Sequence, residues 1–596
     1  MTTYTAPVMD MEFIFQDILD LYQYKNLPGF QDSTPDIVSA ILREGAKVTE
    51  EVFHPLNQSG DAEGCQWQNG DVTTPKGFKQ AYKTYVDGGW NGLTADPEYG
   101  GQGMPYVLGL AINEMLVSAN HGLAAYPGLT QGAIEALQAH ASDALKQTYL
   151  PKLISGEWSG TMNLTEPQCG TDLNLMRTRA TKSSDGTYRL TGTKIFISSG
   201  EHDITDNIIH LVIAKTEGGP DNLKGVSLFL VPKFLPDDTG APGVRNGVRC
   251  GSIEHKMGIH GNSTCEMIYE DAVGYLVGHE FKGMRAMFTM MNAARLGVSV
   301  QGICHSEASY QNAAIYARER LQGRSVSGVK NQDQAADPII VHPDVRRMLM
   351  TSRSFNEGAR ALALWIALQV DLAEKSPDEK ARQDAHDLLD LLTPVIKAFF
   401  TDKGYEYTNA NMQIFGGHGY VVETGMEQYV RDCRITQIYE GANGIHGLDL
   451  VGRKLPANGG RAAQLFLATL QSFIETHQDN AAMAEFIGPL GQAMDHLQQA
   501  TLWLMENAAK SPDHAAASSM EYLSLMAHTA MAYMWNRMAL AALNGMDSGK
   551  GNQKFYRNKL ITARFYMARM LPDILSHLEK LKSGADCMMA LDAEDF

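Results

Sequence analysis

The chain of 596 residues carries a formal net charge of −18 at pH 7, with 44% hydrophobic and 20% charged residues. A single hydrophobic core does not extend over this length, so several domains are expected. The acidic balance disfavours nucleic acid as a partner, because phosphate binding needs a basic surface. No stretch approaches the roughly 18 uninterrupted apolar residues that a membrane helix requires.

Seven cysteines are scattered along the chain without a CxxC pair. This spacing predicts reduced thiols in a cytoplasmic protein and argues against a zinc site or a disulfide framework, so we expect no bound metal. The N-terminal residues show no basic segment followed by an apolar run, and the C-terminal LDAEDF carries no peroxisomal or lipidation signal. We therefore expect no secreted, peroxisomal or lipid-anchored form.

Helical and strand-like patterns divide the chain into successive regions. Residues 1–160 are mainly helical in pattern, as in IVSAILREGAKVTEEVFHPLNQ, whose apolar residues recur at intervals of three and four. Short β-branched runs separated by Gly, Asp and Pro predict a β-domain over 161–280. Helical patterns return over 281–455, and after the linker-like PANGGR further bundle helices are expected through 456–596. The fold class is thus mainly α with a central β-domain.

Two strings at the start of the predicted β-domain have residues suited to a planar ligand. MNLTEPQCGTDLNLMRTRAT supplies the hydroxyls of Thr165 and Thr171, and Gly170 allows close backbone approach. In TGTKIFISSGEHD, Phe196 and Ser198 stand two residues apart, so a strand presents both on one face. Taken alone, the two strings are more simply an ordinary polar turn and a core strand.

A third string, YARERLQGRSV, ends a predicted helix with Arg320 and Arg324. Guanidinium groups there could bind phosphate oxygens through charge-assisted hydrogen bonds. A solvated helix end is an equally good reading.

The fourth string, MQIFGGHGYVVETGMEQYVRDCRITQIYEGANGIHG, is the most informative. GGHGY is too rich in glycine for a helix interior, which indicates close backbone approach to a ligand. It is not a dinucleotide fingerprint, because no βαβ pattern surrounds it. In QIYEGANG, Glu440 lies between an aromatic residue and a glycine, where a helix is expected to give way to a loop.

In order and spacing, the four strings resemble the acyl-CoA dehydrogenase superfamily over roughly residues 40–450, most specifically in TEPxxGTD, QIFGGHGY and RDxRITQIYEG. The resemblance implies an N-terminal helical domain (1–160), a β-barrel-like middle domain (161–280) and a C-terminal four-helix bundle (281–455). The helices of 456–596 resemble the additional domain of long-form bacterial members.

The resemblance implies FAD as the cofactor and at least a homodimer, or a dimer of dimers. The positions that match the family's contacts to FAD are Met162 and Leu164 through their backbone, and Thr165, Thr171, Phe196, Ser198 and Arg320. Gln413 and Gly417 match residues that reach the FAD of a neighbouring subunit. The positions that match contacts to the acyl-CoA are Thr171, Arg295, Tyr439 and Gly441, with Asn292 replacing an acid near Arg295.

Glu440 matches the family's catalytic base, which removes the α-proton of an acyl-CoA thioester on the way to the trans-2-enoyl-CoA. The chain departs from the family just after this residue, where EGANGIH replaces EGTSQIQ, and we expect Asn443 to compensate for the missing FAD contacts. A second departure replaces RKTFG by RLQGR after Arg320. The region AAYPGLTQG, with Tyr126 and Thr130, is expected to line the acyl pocket.

The implied activity is that of a dehydrogenase that passes electrons to electron-transfer flavoprotein. The branch resemblance favours a short acyl chain or 3-methylthiopropanoyl-CoA as the substrate. Two alternatives stay open: an acyl-CoA oxidase that reduces O2, of which GGHGY is also reminiscent, and a DNA-associated relative. The second needs a strongly basic C-terminal domain, and the mixed charge of this tail disfavours it.

Overall fold

Helices make up most of the computed structural model, which describes residues 2–596. The α-helices are α1 (Val8–Phe13), α2 (Pro35–Lys47), α3 (Asn57–Glu63), α4 (Phe78–Asp87), α5 (Tyr106–Ala119), α6 (His121–His140), α7 (Asp143–Ser155), α8 (Gly283–Glu319), α9 (Pro343–Lys375), α10 (Glu379–Ile414), α11 (Met426–Arg434), α12 (Asn443–Asp449), α13 (Arg461–His477), α14 (Ala484–Ala508), α15 (Pro512–Ala517), α16 (Ser519–Asp547), α17 (Gln553–Arg569) and α18 (Asp573–Lys582). Across residues 2–596, none of the helices combines the length and the apolar character needed to cross a membrane.

The strands concentrate in one part of the chain. They are β1 (Gln66–Gln68), β2 (Asp71–Thr73), β3 (Trp158–Asn163), β4 (Arg179–Lys182), β5 (Tyr188–Ser198), β6 (Asn207–Thr216), β7 (Val226–Pro232), β8 (Phe234–Pro236), β9 (Pro242–Arg245), β10 (Val248–Ile253) and β11 (Thr264–Val277). The hairpin of β1 and β2 lies in a region whose sequence pattern predicts helix.

The main sheet closes into a barrel. Its strands pair in the order β10-β11-β5-β4-β6-β3, and β7 pairs with both β11 and β6. The ring β5-β4-β6-β7-β11 is therefore continuous, with β10 and β3 extending from it. Closure removes free edges from the ring strands. The prediction of a barrel-like middle domain is confirmed.

Strand β6 shows why the barrel forms from this sequence. All ten of its residues, NIIHLVIAKT, are buried. Val212 and Ala214 pack with Phe229 in one apolar cluster. The alternate residues Leu211 and Ile213 belong to a second cluster, which includes residues of α6 and α7. A strand with both faces covered does not alternate between apolar and polar residues, and in β6 the central run from Ile208 to Ala214 is interrupted only by His210.

The chain forms two compact units, residues 44–297 and residues 1–43 with 298–596. In the second unit, the long helices α9 and α10 pack together, and helix α16 lies against α9. The indole of Trp535 donates to the carbonyl of Ser354 at 3.2 Å. A Cβ on Gly358 would come within 2.5 Å of the same indole nitrogen, so this helix crossing requires glycine.

A buried charge network ties the N-terminal segment to the same unit. Asp10 accepts from Arg360 at 2.6 Å and also pairs with Lys559. Arg360 contacts Glu307 at 3.1 Å, and Lys559 contacts Glu357 at 2.8 Å. Burial alone would raise the pKa of Asp10, but the charges of Lys559 and Arg360 outweigh burial and lower it. The network joins α1, α8, α9 and α17, which explains why residues 1–43 belong with the C-terminal part of the chain.

The expected fold class, helical with a central sheet and extra C-terminal helices, is confirmed by this architecture. The boundaries of the two compact units do not coincide with those of the four domains predicted from the sequence. The division into four domains stays a prediction. Within residues 2–596, no disulfide joins any of the seven cysteines.

Candidate active site

The turn that contains TEPQCGTD follows β3 and is fastened to β5 by a buried ion pair. Lys194 donates to the carbonyl of Leu164 at 2.9 Å and to Glu166 Oε1 at 2.8 Å. Both charged side chains are at most 2% exposed. The backbone of β5 also contributes, since Ile195 N donates to the carbonyl of Thr165 at 2.9 Å. One lysine therefore fixes the turn where the sequence predicts flavin contacts.

The Glu166 carboxylate is held in its ionised form. Burial alone would raise its pKa, but the charge and hydrogen bond of Lys194 outweigh burial and lower the pKa to about 2. The backbone N–H groups of Arg177 and Thr178 also donate to this carboxylate, at 2.7 and 3.1 Å. Glu166 thus joins the start of the turn both to Lys194 on β5 and to the backbone of Arg177 and Thr178, where the turn ends.

A β-bulge separates Phe196 from Lys194 on strand β5. Cys265 pairs with Ile197 and Met267 with Lys194, so two residues of β5 oppose one of β11. Phe196 has a φ of +58°. In a regular strand Lys194 and Phe196 would share a face. Here the lysine is fully buried, whereas Phe196 is 58% exposed with Ser198 half-buried two residues on.

The remaining predicted residues of this turn are accessible. Met162 and Thr165 are half-buried, and Gly170 and Thr171 are exposed. A Cβ on Gly170 would meet only Thr165, at 3.8 Å. An exposed aromatic ring, accessible hydroxyls and open backbone are what a flat, hydrogen-bonding ring system such as a flavin requires. The residues present fit that group, and their individual contacts to it stay predictions.

The two residues expected to line the acyl pocket lie in the core of residues 44–297. Tyr126 and Thr130 are both fully buried. The Tyr126 hydroxyl donates to the carbonyl of Gly261 at 3.2 Å, and Thr130 Oγ1 donates to the carbonyl of Tyr126 at 3.0 Å. Both hydroxyls are thus used inside the protein. On α8, Arg295 is half-buried and Asn292 is exposed, and the predicted contact of Arg295 with the acyl-CoA stays a prediction.

The structure distinguishes the two arginines of the third string. Arg324 folds back into its own loop, where it contacts Asp337 at 3.3 Å and donates to the carbonyl of Asn331 at 2.8 Å. Hydrogen bonds from the backbone of Ser325, with those of neighbouring loop residues, lower the pKa of Asp337 to about 2. Arg320 is exposed, and no other residue in 2–596 bonds to its guanidinium. Arg320 is therefore the arginine available to a phosphate.

The glycine-rich GGHGY forms a short 3-10 turn at the end of α10. Gly416 has a φ of +58°, which favours glycine. A Cβ on Gly419 would lie 2.4 Å from the carbonyl of Met412, whereas one on Gly417 would meet nothing within 4 Å. Gln413 and Gly417 are both exposed. The turn thus has a packed side and an open side, and the open side carries the two residues predicted to reach a neighbouring subunit.

Glu440 lies on a tight turn between a 3-10 segment ending at Gln437 and helix α12. Its φ is +56°, and that of Gly441 is +88°. Glu440 is the strained residue of this turn, because its side chain disfavours the left-handed region, whereas Gly441 adopts that region freely. A Cβ on Gly441 would also lie 3.0 Å from His446 Nε2, so glycine suits this position twice over.

Two buried side chains hold the carbonyls of this turn. His446 Nε2 donates to the carbonyl of Glu440 at 3.1 Å, and Lys397 Nζ donates to that of Gly441 at 2.7 Å. His446 is 2% exposed and Lys397 is fully buried. The strained backbone of Glu440 is thus fastened at two successive oxygens.

Asn443 belongs to the same arrangement. Its Oδ1 accepts from Lys397 at 2.9 Å, and its Nδ2 donates to Asp402 Oδ1 at 2.7 Å and to Thr401 Oγ1 at 2.9 Å. The side chain is buried, with both ends engaged inside the protein. Its predicted contact with FAD stays a prediction, but the structure gives the residue a second role that the sequence did not suggest.

Tyr439 lies beside the carboxylate. Burial and the nearby charge of Glu440 raise the pKa of its phenol, which donates to Gln301 Oε1. The phenol is therefore neutral at physiological pH and fixed in direction. The predicted contact of Tyr439 with the acyl-CoA stays a prediction.

Sequence reasoning missed Glu166, Lys194, Lys397 and His446. A charged residue inside the strand pattern TGTKIFIS was a usable signal for Lys194, because a lysine in a core strand needs a partner. Lys397 gave no such signal in LLTPVIKAFF, since a single lysine on a helix is usually solvated.

Comparisons with known proteins show what the chain is similar to. Four family models match consecutive parts of the chain: the acyl-CoA dehydrogenase N-terminal domain (61–157), middle domain (161–272) and C-terminal domain (282–455), and an acetyl-CoA dehydrogenase C-terminal-like domain (466–592). The chain is 41% identical over 588 residues to 3-methylmercaptopropionyl-CoA dehydrogenase of Ruegeria pomeroyi, covering 98% of this chain and 99% of that protein.

Two solved structures share the fold. Caenorhabditis elegans ACDH-11 in complex with C11-CoA matches with a TM-score of 0.80 and 17% identity, over 99% of this chain and 96% of that one. An acyl-CoA dehydrogenase complexed with FAD from Bacillus anthracis matches with a TM-score of 0.74 and 20% identity, over 92% and 89% of the two chains.

The ion pair of Glu166 predicts acid sensitivity of the turn after β3. The folded pKa of about 2 lies below the ordinary 4.5, so the stabilisation is complete above pH 4.5 and is lost as the pH falls towards 2. We expect the loss to be on the order of 3 kcal/mol. The loss can be measured as the decrease in amide hydrogen-exchange protection of a peptide spanning 162–181 as the pH falls, after correction for intrinsic exchange rates.

Glu166→Gln should remove this pH dependence and lower protection already at pH 7, because Lys194 then lacks its anion. Glu270→Gln, at an exposed carboxylate of β11, is the matched control and should behave as wild type. Equal protection of wild type and Glu166→Gln across the pH range would contradict the role given to the ion pair.

Proposed function

Because the chain belongs to the acyl-CoA dehydrogenase family, we propose that it converts 3-methylthiopropanoyl-CoA, or a similarly short acyl-CoA, into the trans-2-enoyl-CoA, with Glu440 as the base. The observation that carries the proposal is the Glu440 turn. It presents one carboxylate on a strained backbone held by two buried donors. The end-to-end identity of 41% to a dehydrogenase named for this thioester supports the choice of substrate.

FAD is the cofactor, and when bound it takes up the hydrogen and the electron pair that leave the β-carbon. The chain offers Phe196 and Ser198 towards the flavin ring, and Thr165 and Thr171 on the turn after β3. Arg320, with its exposed guanidinium, would bind the pyrophosphate. Gln413 and Gly417 would reach the FAD of the neighbouring subunit, so we propose a homodimer or a dimer of dimers.

The task of Glu440 is to remove the proton from the α-carbon. A thioester α-proton is weakly acidic, so the carboxylate needs help from donors that stabilise the developing enolate oxygen. We assign one such donor to the backbone N–H of Glu440 itself. Tyr439 and Gly441 would border the acyl group, and Arg295 would bind the CoA nucleotide.

Electron-transfer flavoprotein is the proposed electron acceptor, and the cytoplasm the proposed location. An oxidase would instead pass the electrons to O2. The two differ in a simple assay, since an oxidase forms hydrogen peroxide during turnover and the proposed dehydrogenase does not. A separate anaerobic assay with acyl-CoA thioesters of increasing length should show fastest flavin bleaching with 3-methylthiopropanoyl-CoA.

Substitution of the base tests the proposal. Glu440→Gln should retain FAD and bind the thioester but lose anaerobic flavin bleaching by about 10²-fold or more, because a positioned general base contributes roughly 10² to 10⁴ in rate. Glu423→Gln, an exposed carboxylate outside the turn, is the control and should bleach normally. Normal bleaching by Glu440→Gln would refute the assignment.

Substitution of Arg320 tests the cofactor role of the third string. Arg320→Ala should lose much of its FAD on gel filtration, because one charge-assisted contact to the pyrophosphate is removed. Arg318→Ala, at an exposed position in the last turn of α8 just before Arg320, should keep its FAD. A fully yellow Arg320→Ala protein would count against this assignment.

A further inference from the structure

The backbone at Glu440 needs to be held. A glutamate at φ +56° lies in a region that a side chain disfavours, and the next residue continues in that region at φ +88°. Such a turn relaxes unless surrounding contacts determine it. The direction of the Glu440 carboxylate depends on this backbone conformation, so whatever holds the turn also sets where the base points.

We propose that Lys397 and His446 are positioning residues that keep Glu440 in the orientation for removing the α-proton. This inference rests on the proposed function. Lys397 binds the carbonyl of Gly441 at 2.7 Å, and His446 binds that of Glu440 at 3.1 Å. A carbonyl oxygen accepts, so the histidine must carry its proton on Nε2.

Helix α10 supplies the platform for this clamp. Lys397 and Thr401 stand four residues apart and therefore share a face of the helix, with Asp402 adjacent. Lys397 Nζ also binds Asn443 Oδ1 at 2.9 Å, and Asn443 Nδ2 binds Asp402 at 2.7 Å. Gln437 binds the same Asp402 oxygen at 2.6 Å. Residues before and after Glu440 are thus fastened to one stretch of α10.

Because these side chains are buried, their polar groups need hydrogen-bond partners inside the protein. Lys397 and Thr401 are fully buried, and His446 is 2% exposed. A buried ammonium requires acceptors. Buried donors bind three oxygens of this segment: the carbonyls of Glu440 and Gly441 and the Oδ1 of Asn443. If Lys397 or His446 is replaced by a residue without a donor, the carbonyl that it binds loses its partner. The backbone of the turn then favours an arrangement in which that oxygen finds another donor. We therefore expect the base to be displaced while the rest of the unit stays folded.

The test isolates proton removal from flavin reduction. The probe is methylthioacetyl-CoA, which has α-hydrogens but a sulfur atom in place of the β-carbon, so it cannot be dehydrogenated. FAD-loaded enzyme in D2O exchanges the α-hydrogens for deuterium, and mass spectrometry follows the rate. Titration of the same thioester, read from the flavin spectrum, gives its dissociation constant.

Lys397→Met should slow exchange at saturating thioester by about 10- to 100-fold, because a displacement of about 1 Å can cost that much. Its FAD content and dissociation constant should match wild type. Lys380→Met, exposed on the same helix and paired with Asp384, is the control and should exchange normally. Normal exchange by Lys397→Met would overturn the proposal, and so would equal losses of binding and exchange, which indicate a merely structural role.

His446 gives an independent pair of variants if Lys397→Met fails to fold. His446→Leu removes the donor and should slow exchange, whereas His446→Gln keeps an N–H near the same place and should recover most of it. Equal rates for the two variants would overturn the proposal. Glu440→Gln distinguishes a failure of the proposed function from a failure of this inference. If Glu440→Gln still exchanges the α-hydrogens, the proposed base is wrong. If Glu440→Gln loses exchange while the Lys397 and His446 variants keep it, only the positioning role of Lys397 and His446 is wrong.

Discussion

Buried lysines hold the two loops that carry the proposed flavin contacts and the proposed base. A loop leaves backbone carbonyls without the partners that helices and sheets provide, and such oxygens need donors when they are buried. Lys194 supplies donors to the turn after β3, and Lys397 supplies them to the Glu440 turn. A lysine offers three N–H donors at the end of a long apolar stem, so one residue can fasten several oxygens from the interior.

The regular elements of the fold make these anchors rigid. Lys194 stands on β5, a strand of the closed barrel, and Lys397 stands on α10, one of the longest helices. The bulge in β5 turns Lys194 inward and leaves Phe196 exposed, so one short segment both fastens the turn and presents an aromatic ring. In the other unit, the network around Asp10 and Arg360 joins the N-terminal helix to the helices that support α10.

The amino-acid sequence predicts the fold class and the turn of the proposed base. Strands rich in β-branched residues and helices with regular apolar spacing predicted the fold class. The sequence did not predict the anchoring lysines, because their partners are distant along the chain. Lys194 and Glu166 are 28 residues apart, and Lys397 and Gly441 are 44 residues apart. Charge alone did not separate Arg320 from Arg324; the family resemblance favoured Arg320, and the structure shows Arg324 bound within its own loop. Asn443, a departure from the family pattern, makes sense as a partner of Lys397.

The central claim is that removal of the α-proton by the clamped Glu440 belongs to the step that reduces the flavin. Rapid anaerobic mixing of wild-type holoenzyme with 3-methylthiopropanoyl-CoA, either unlabelled or deuterated at the α-carbon, tests this claim most directly. Flavin bleaching should be slower with the α-deuterated thioester, and the enoyl product should have lost one α-deuterium. Equal bleaching rates with the unlabelled and the α-deuterated thioester would contradict the account.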